Sequence, residues 1–368
     1  MATALLRRFA ELAATPLVPD DYLDLFNPLR PGAELRGRIV SVHPETADAA
    51  TLVIKPGADW AGHVPGQYVR IGVDVDGVRQ WRAYSLTHGP RRDGHISITV
   101  KAVADGTVSP YLVHRSRPGT LVHLEQATGD FVLPDLDVDP PKFLFVTAGS
   151  GVTPVVGMLR NLFPVTESGV IDPKSRSAAT NAAGLDITVV HVAPSEPDSI
   201  FGADLVALHA AGAINLVARY DDTHGVLDIN RLVDLVPDLH ERITYACGPG
   251  GLLDALAAHH EALGLPLHVE QFKISTVEPG AGGSVAFNSG VEVIADGATP
   301  ILTAAESAGV LMPSGCRMGI CFGCVLPMTD GAVRDLRNGA ITTADAMSGP
   351  VKIQTCISAA AGPCRLDH

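Results

Sequence analysis

The stretch Ser314–Cys324 reads SGCRMGICFGC, and Cys356 follows inside QTCIS (Gln354–Ser358). Three of the six cysteines therefore fall within nine residues, with a fourth 32 residues further on. No uninterrupted apolar run approaches the roughly 20 residues a bilayer span requires. The N-terminus, MATALLRRFAELAAT, has neither an h-region of signal-peptide length nor a clear cleavage site. The expected location is cytoplasmic, where thiols stay reduced, so the cysteine cluster points to metal ligation rather than disulfides.

The pattern Cys316-x4-Cys321-x2-Cys324 with a distant Cys356 is the plant-type spacing for a [2Fe-2S] cluster. A four-cysteine zinc site is the alternative, but zinc usually takes two close pairs and this pattern is three plus one. Gly315, Gly319 and Gly323 are expected to let the loop curl and bring backbone N–H groups towards the sulfides. Cys247 and Cys364 lie outside the pattern.

Working outward from the loop, SVAF and VEVIA read as strands, and a short helix begins at Thr299-Pro300 and stops at Gly309. Before them, 278–284 (EPGAGGS from Glu278) reads as a small-residue linker. Residues 139–277 alternate apolar strands with helical segments, the βαβ pattern of a parallel sheet: KFLFVTAG into VTPVVGMLRNLF, DITVVHVAP into IFGADLVALHAAG, ITYACGPGG into LLDALAAHHEAL. Residues 36–138 hold six alternating runs, RGRIVSV, ATLVIK, QYVRIGV, WRAYSLT, HISITVKAV and TLVHLE, suggesting an antiparallel barrel or sandwich. Residues 1–35 form an N-terminal extension, with Leu5, Leu6, Phe9, Leu12 and Ala13 on one helical face. Thr166–Asp186 reads as an inserted loop. At 368 residues, 46% hydrophobic and 18% charged, the chain suits a multidomain globular protein. Its net charge of -13 and lack of Lys/Arg runs exclude nucleic acid as an expected partner.

Several segments outside the cysteine loop could carry chemistry. In RAYSLT (Arg82–Thr87), strand alternation would turn Arg82 and Tyr84 to one face, towards a phosphate and a planar ring, with Ser85 able to donate to a ring nitrogen and Thr87 expected as a further cofactor contact. An ordinary barrel strand is the competing reading. Lys101 precedes DGTVSPYL, where Gly106, Val108 and Ser109 could offer donors to a phosphate at a helix start. The turn TAGSGVTP, with Gly149, Gly151, Thr153 and Pro154, links a strand to a helix as a dinucleotide phosphate requires, and a plain turn before a Pro-started helix is its alternative. A second such turn, with Cys247, Gly248 and Pro249, follows a later strand. Ser195 and Arg219 could contact a 2′-phosphate, which Glu196 and Asp198 would repel. His259-His260 reads as a solvated helix face. No G-x-S-x-G elbow, H-E-x-x-H helix or Walker A lysine is present.

In this order, RAYSLT, KAVADGTVS, TAGSGVTP, YACGPGG, VEQF and CRMGICFGC with QTC resemble the ferredoxin reductase-like flavoproteins fused to a C-terminal plant-type ferredoxin domain. The resemblance implies a flavin-binding barrel, a nucleotide-binding α/β domain and an α+β (β-grasp) ferredoxin domain at 285–368. It implies FAD rather than FMN, and a [2Fe-2S] cluster on Cys316, Cys321, Cys324 and Cys356. By motif, Arg82 meets the flavin phosphate, Tyr84 the ring system and Ser85 the reactive N5, while Gly106, Val108 and Ser109 hold the pyrophosphate. Gly149, Gly151, Thr153 and Pro154 match the nicotinamide nucleotide loop, and Cys247, Gly248 and Pro249 the motif that sets nicotinamide near the flavin. Glu270 and Phe272, in VEQF, match the end of the reductase module, although this chain continues past Phe272 where plant reductases stop. Ser85, Cys247 and Glu270 are thus the expected catalytic positions. The segment PDDYLDLFNPL (Pro19–Leu29) is similar to actinobacterial oxidoreductases that supply electrons to membrane acyl-CoA desaturases, which implies NADPH in preference to NADH, lipid metabolism, and peripheral membrane contact through the partner. The alternatives are a reductase for an alkane, aromatic or phenylacetyl-CoA oxygenase, and a non-catalytic redox-sensing or electron-transfer subunit.

Overall fold

The computed structural model describes residues 23–24, 26–75, 78–104, 106–134, 141–163, 184–272, 280–315, 317, 319, 322–337, 339–345, 347 and 349–368. Among these, residues up to Gln80 with Tyr84–Leu227 and Val233–Thr244 form one compact unit. Trp81–Ala83, Asp228–Leu232 and the chain from Tyr245 onward form the other. The expected helical face at residues 4–13 and most of the expected inserted loop lie outside the described residues.

All six alternating runs become strands: β1 (Arg36–Thr46), β2 (Ala49–Pro56), β3 (Tyr68–Val75), β4 (Val78–Ser85), β5 (Ile96–Lys101) and β6 (Leu121–Leu124). They lie in the order β4-β3-β6-β1-β2-β5. The two-residue period sends Ile39, Leu52, Ile54, Val69, Ile71, Ile96 and Ile98 into one apolar core. Leu86, just past β4, bridges Ile98 of β5, and the Thr87 N–H donates to the Ser97 carbonyl at 2.9 Å. The two end strands of the sheet are thereby joined, which decides between the sequence alternatives in favour of a barrel.

The alternation of strand and helix yields a second sheet of β7 (Lys142–Ala148), β8 (Asp186–Ala193), β9 (Asn215–Tyr220), β10 (Arg242–Cys247) and β11 (Leu267–Glu270), ordered β11-β10-β7-β8-β9. β7, β8 and β9 are parallel, in a register that sets Thr147 opposite His191. β7 and β8 read as near-continuous apolar runs because both are buried almost throughout. The longer helices among the described residues are α1 (Val152–Leu162), α2 (Gly202–Ala210) and α3 (Gly250–Leu263). On α3 the buried side chains are Leu253, Leu256 and His260, at helical spacing on one face. His260 is therefore a core residue, its Nδ1 paired with the Leu256 carbonyl at 2.9 Å, and not part of a solvated face.

The C-terminal sheet is mixed: β12 (Gly280–Phe287), β13 (Glu292–Gly297), β14 (Val325–Asp335), β15 (Ile341–Ala344), β16 (Val351–Gln354) and β17 (Ser358–Leu366), ordered β13-β12-β17-β14-β15 with β16 on β14. β12 and β17 run parallel, while β12–β13, β14–β15, β14–β16 and β14–β17 pair antiparallel. Helix α4 (Ile301–Ser307) contributes Ile301, Leu302 and Ala305 to the core, an α+β arrangement. Pro300 occupies the N-cap of α4 rather than its first turn, and the Asp296 carboxylate accepts from the N–H groups of Ala298 and Thr299 just before it. The glycine-rich stretch expected as a linker is, from Gly280 on, strand β12. Its glycines serve close packing: a Cβ at Gly283 would strike the backbone of Gly362, and Gly282 takes φ 72° within the register shift between Gly280 and Gly283.

Candidate functional site

β4 ends on the motif residues. Arg82 is half-buried and its Nη1 donates to the Trp81 carbonyl at 2.8 Å; Tyr84 packs against the barrel core; Ser85 is buried. Thr87 has no exposed surface, and its hydroxyl shares a hydrogen bond of 2.9 Å with Ser97. A side chain without exposed surface cannot touch a cofactor, so Thr87 is corrected from a cofactor contact to a residue that closes the barrel two residues beyond Ser85.

The Lys101 segment is tightly organised. Lys101 Nζ pairs with Asp48 at 3.0 Å, the Ser109 hydroxyl accepts from the Val103 N–H at 3.1 Å, and the Val108 side chain is buried. A Cβ at Gly106 would press on Ser109 Oγ and the Val103 carbonyl, both 3.1 Å away, so the turn is closely packed there. Val108 can therefore offer only backbone to a phosphate.

The turn after β7 is a short 3-10 segment, Gly149–Gly151, that runs straight into α1. Gly149 takes φ 54°, and a Cβ there would meet nothing within 4 Å, so the turn faces open space with no side chain of its own in the way. Thr153, buried, donates its hydroxyl to the Ser150 carbonyl at 2.9 Å, and Pro154 follows without a backbone donor to lose. Behind the turn, the buried hydroxyl of Thr147 bonds His191 Nδ1 at 2.8 Å. Burial holds that imidazole down to about 4, so it is neutral, and its Nε2 has no partner among the described residues. Beyond β8, Ser195 donates to Asp198 at 2.6 Å, and at the end of β9 Arg219 Nη2 donates to the His224 carbonyl at 3.1 Å.

In the second unit, Cys247 ends β10, Gly248 follows, and Pro249 is the N-cap of α3. The Cys247 thiol is fully buried and pushed well above its ordinary value by burial and by the charge of Glu270, itself buried. It is thus a neutral thiol at physiological pH, a small uncharged wall rather than a nucleophile. Tyr245, two residues earlier, stacks on His268 with ring centroids 4.4 Å apart. Phe272 is half-buried just past β11.

Of the four expected cluster ligands, Cys316 and Cys321 lie outside the described residues. Cys324 and Cys356 are brought together. The Cys324 thiol is drawn down to about 6, chiefly by a hydrogen bond with the Cys356 side chain, which outweighs burial. Thr355 fastens the pair: its N–H and hydroxyl both donate to the Cys324 carbonyl, at 3.2 and 3.0 Å. A buried thiol already inclined to ionise, beside a second thiol, is the donor chemistry iron requires. Gln354 Nε2 donates to the Gly319 carbonyl at 2.9 Å and Arg317 pairs with Glu306 of α4 at 2.5 Å, tying the loop at both ends. Among the described residues of the loop, left-handed backbone falls on Gly319 (φ 74°) but also on Arg317 (62°) and Phe322 (56°), so there glycine does less of the curling than its frequency suggested.

Against known proteins, residues 39–133 match the oxidoreductase FAD-binding domain and residues 287–361 the 2Fe-2S iron-sulfur cluster binding domain. An NADPH oxidoreductase of Mycobacterium tuberculosis is 45% identical over 371 residues, covering 98% of this chain and 92% of that protein. The ferredoxin reductase component of 3-ketosteroid-9-alpha-monooxygenase from Mycolicibacterium smegmatis is 27% identical, covering 85% and 91%. The solved structure of phthalate dioxygenase reductase has the same fold, with a TM-score of 0.61 at 19% identity over 90% of this chain and 97% of that one. The class is an NAD(P)H-dependent flavin iron-sulfur oxidoreductase that passes electrons from nicotinamide through FAD to a 2Fe-2S centre. The chain belongs to the family of FAD-binding oxidoreductases fused to a 2Fe-2S domain, homologous to the ferredoxin reductase components of oxygenases.

Proposed function

We propose that this chain is the NADPH-preferring reductase of an oxygen-activating enzyme, and that a separate protein takes its electrons. The observation that carries the reading is the Cys324–Cys356 thiol pair, held ready for a cluster in the same chain as a flavin barrel. When bound, the flavin accepts two electrons from nicotinamide and releases them singly to the cluster, a conversion neither neighbour performs.

The chain's own residues supply binding and geometry. Arg82 takes the flavin phosphate, Tyr84 and Ser85 the ring, and Gly106, the Val108 backbone, Ser109 and Lys101 the pyrophosphate side. Gly149, Gly151, Thr153 and Pro154 cradle the nucleotide phosphates, and Cys247, Gly248, Pro249, Glu270 and Phe272 bound the nicotinamide. Cys316 and Cys321 complete the ligand set of Cys324 and Cys356. Arg219 favours a 2′-phosphate, as does the name of the 45% identical relative; Asp198, which accepts a hydrogen bond from the Ser195 hydroxyl, works against it.

The acceptor we favour is a membrane fatty-acyl desaturase, on the strength of PDDYLDLFNPL, with peripheral membrane contact made through that partner. An oxygenase acceptor is the second reading, supported by the 3-ketosteroid monooxygenase reductase among the relatives. Among the described residues no helix is long and apolar enough to cross a membrane. Reconstitution tests the choice: the purified chain with NADPH should drive oxygen-dependent desaturation in membranes holding the desaturase. Turnover only with an oxygenase would reject the first acceptor. Failure of the isolated chain to reduce artificial acceptors would return it to a non-catalytic subunit.

A further inference from the structure

Helix α1 starts at the nucleotide turn, and one of its faces lies on the segment that leaves Ser85. Gly157, Arg160 and Asn161, spaced i, i+3 and i+4, share that face. At Gly157 a Cβ would collide with the Leu86 carbonyl oxygen and come within 3.6 Å of the His88 nitrogen. Arg160 Nη1 donates to the Thr87 carbonyl at 3.2 Å. Gly89 in turn lacks the Cβ that would meet Asn161 Oδ1 at 2.5 Å. Helix and segment therefore meet with the bare Cα of Gly157 against the Leu86 backbone and the bare Cα of Gly89 against the Asn161 side chain, close approaches that a Cβ at either glycine would prevent.

Arg160 locks this seam from several directions. Its side chain is 10% exposed; Nη2 pairs with Asp204 of α2 at 2.8 Å, and the guanidinium lies 4.6 Å from the Phe201 ring centroid. Phe201 holds φ 57°, a left-handed conformation costly for an aromatic residue and tolerated where surrounding contacts fix it. Glu45, at the register shift of β1, feels the charges of both Arg160 and Asp204 and accepts from Thr51 at 2.5 Å. A buried guanidinium shared among a barrel strand, the Ser85 exit and two helices leaves α1 no soft direction in which to shift.

We propose that this seam, Gly157 and Gly89 clamped by Arg160, is the positioning device that sets the separation between the nucleotide turn Gly149–Pro154 and Ser85 for flavin reduction. The inference rests on the reading that these two places hold nicotinamide nucleotide and flavin. The reaction positioned moves the hydrogen on nicotinamide C4, with both electrons of its bond, to flavin N5; the C–H bond breaks, an N–H bond forms, and NADP⁺ leaves. Transfer of this kind is steep in distance, and misplacement by about an ångström costs on the order of 100-fold. Relief of the Gly157→Ala collision requires a retreat of about that size.

The test uses the flavin-loaded full chain. Rapid-mixing reduction of the flavin by NADPH, ordinary and 4-deuterated, gives the limiting rate and its isotope effect; titration with NADP⁺ gives the dissociation constant. Gly157→Ala should lower the limiting rate roughly 30- to 100-fold with a fully expressed isotope effect, full flavin content and an NADP⁺ dissociation constant within about threefold of wild type. Amide exchange of the Leu86–Gly89 peptide should quicken in the same variant. Arg160→Lys, which keeps the charge but loses the fork, should fall between wild type and Gly157→Ala. If Gly157→Ala does not fold, Gly89→Ala carries the test, because Asn161 can swing aside, and a drop of about three- to tenfold is expected. An unchanged limiting rate in any flavin-loaded glycine variant overturns the seam, as does a loss explained wholly by weaker NADP⁺ binding. Wild-type flavin that NADPH does not reduce would instead overturn the functional reading beneath it.

Discussion

Replacing His191 by Gln isolates the electrostatic consequence of a buried imidazole behind the nucleotide turn. Burial holds His191 at about 4, against 6.5 when exposed, while Thr147 supplies a single hydrogen bond at 2.8 Å. The folded chain keeps the ring neutral, whereas the unfolded chain takes up a proton as pH falls below 6.5. Stability from this group is thus complete above about pH 6.5 and is lost as pH drops towards 4. The full gap corresponds to about 3 kcal/mol, of which about 2 kcal/mol is lost by pH 5.0. His191→Gln retains a partner for Thr147 but cannot titrate, so its β7 and β8 should lose about 2 kcal/mol less between pH 7.5 and 5.0 than wild type. Native-state amide exchange of peptides from those strands, corrected for intrinsic rates, measures the difference locally. His88, also held to about 4 by burial, contributes equally to both proteins and cancels. Equal pH losses in wild type and variant would refute the argument.

Other expectations follow from single sites. Cys321→Ser should abolish NADPH-driven cytochrome c reduction while sparing ferricyanide reduction at the flavin; equal loss of both would sink the division of labour between the two centres. Gly66→Ala places a Cβ against the Phe131 carbonyl at φ 99°, and should lower unfolding stability by more than about 2 kcal/mol, read from urea denaturation; a shift under about 0.5 kcal/mol contradicts it. Arg219→Ala should reduce kcat/KM for NADPH by about 10- to 100-fold and for NADH by less than threefold. A parallel fall with both coenzymes would remove Arg219 from 2′-phosphate recognition.

The strands were legible because their patterns are local. Alternation in RGRIVSV or HISITVKAV needs only a two-residue period, and β7 and β8 announce burial on both faces by near-continuous apolar runs. The linker was misread because glycine signals two opposite things: Gly283 is bare since Gly362 lies against it, a contact with a residue 79 positions away. His260 was misread for a related reason, since only the positions of Leu253 and Leu256 on the same helical face reveal which way it points. At the site, Cys324 and Cys356 could be paired from spacing alone, but Thr87 looked like a ligand because its closure of the barrel depends on Ser97. Arg160 and Gly157 escaped notice altogether. A mid-helix glycine reads as a mild penalty, and the only available hint was its spacing to the Arg on the same face.

The fitted surface between α1 and Leu86–Gly89 bears on how such proteins can be recombined. Flavin barrels and nucleotide sheets look like exchangeable modules whose boundary the sequence pattern puts near residue 138. A chimera cut there would set a foreign helix on Leu86 without the matching bare Cα, or a foreign strand beneath Arg160. Functional crossovers in this chain should therefore transfer Leu86–Gly89 together with Gly157–Asn161, as one inherited block that straddles the apparent boundary.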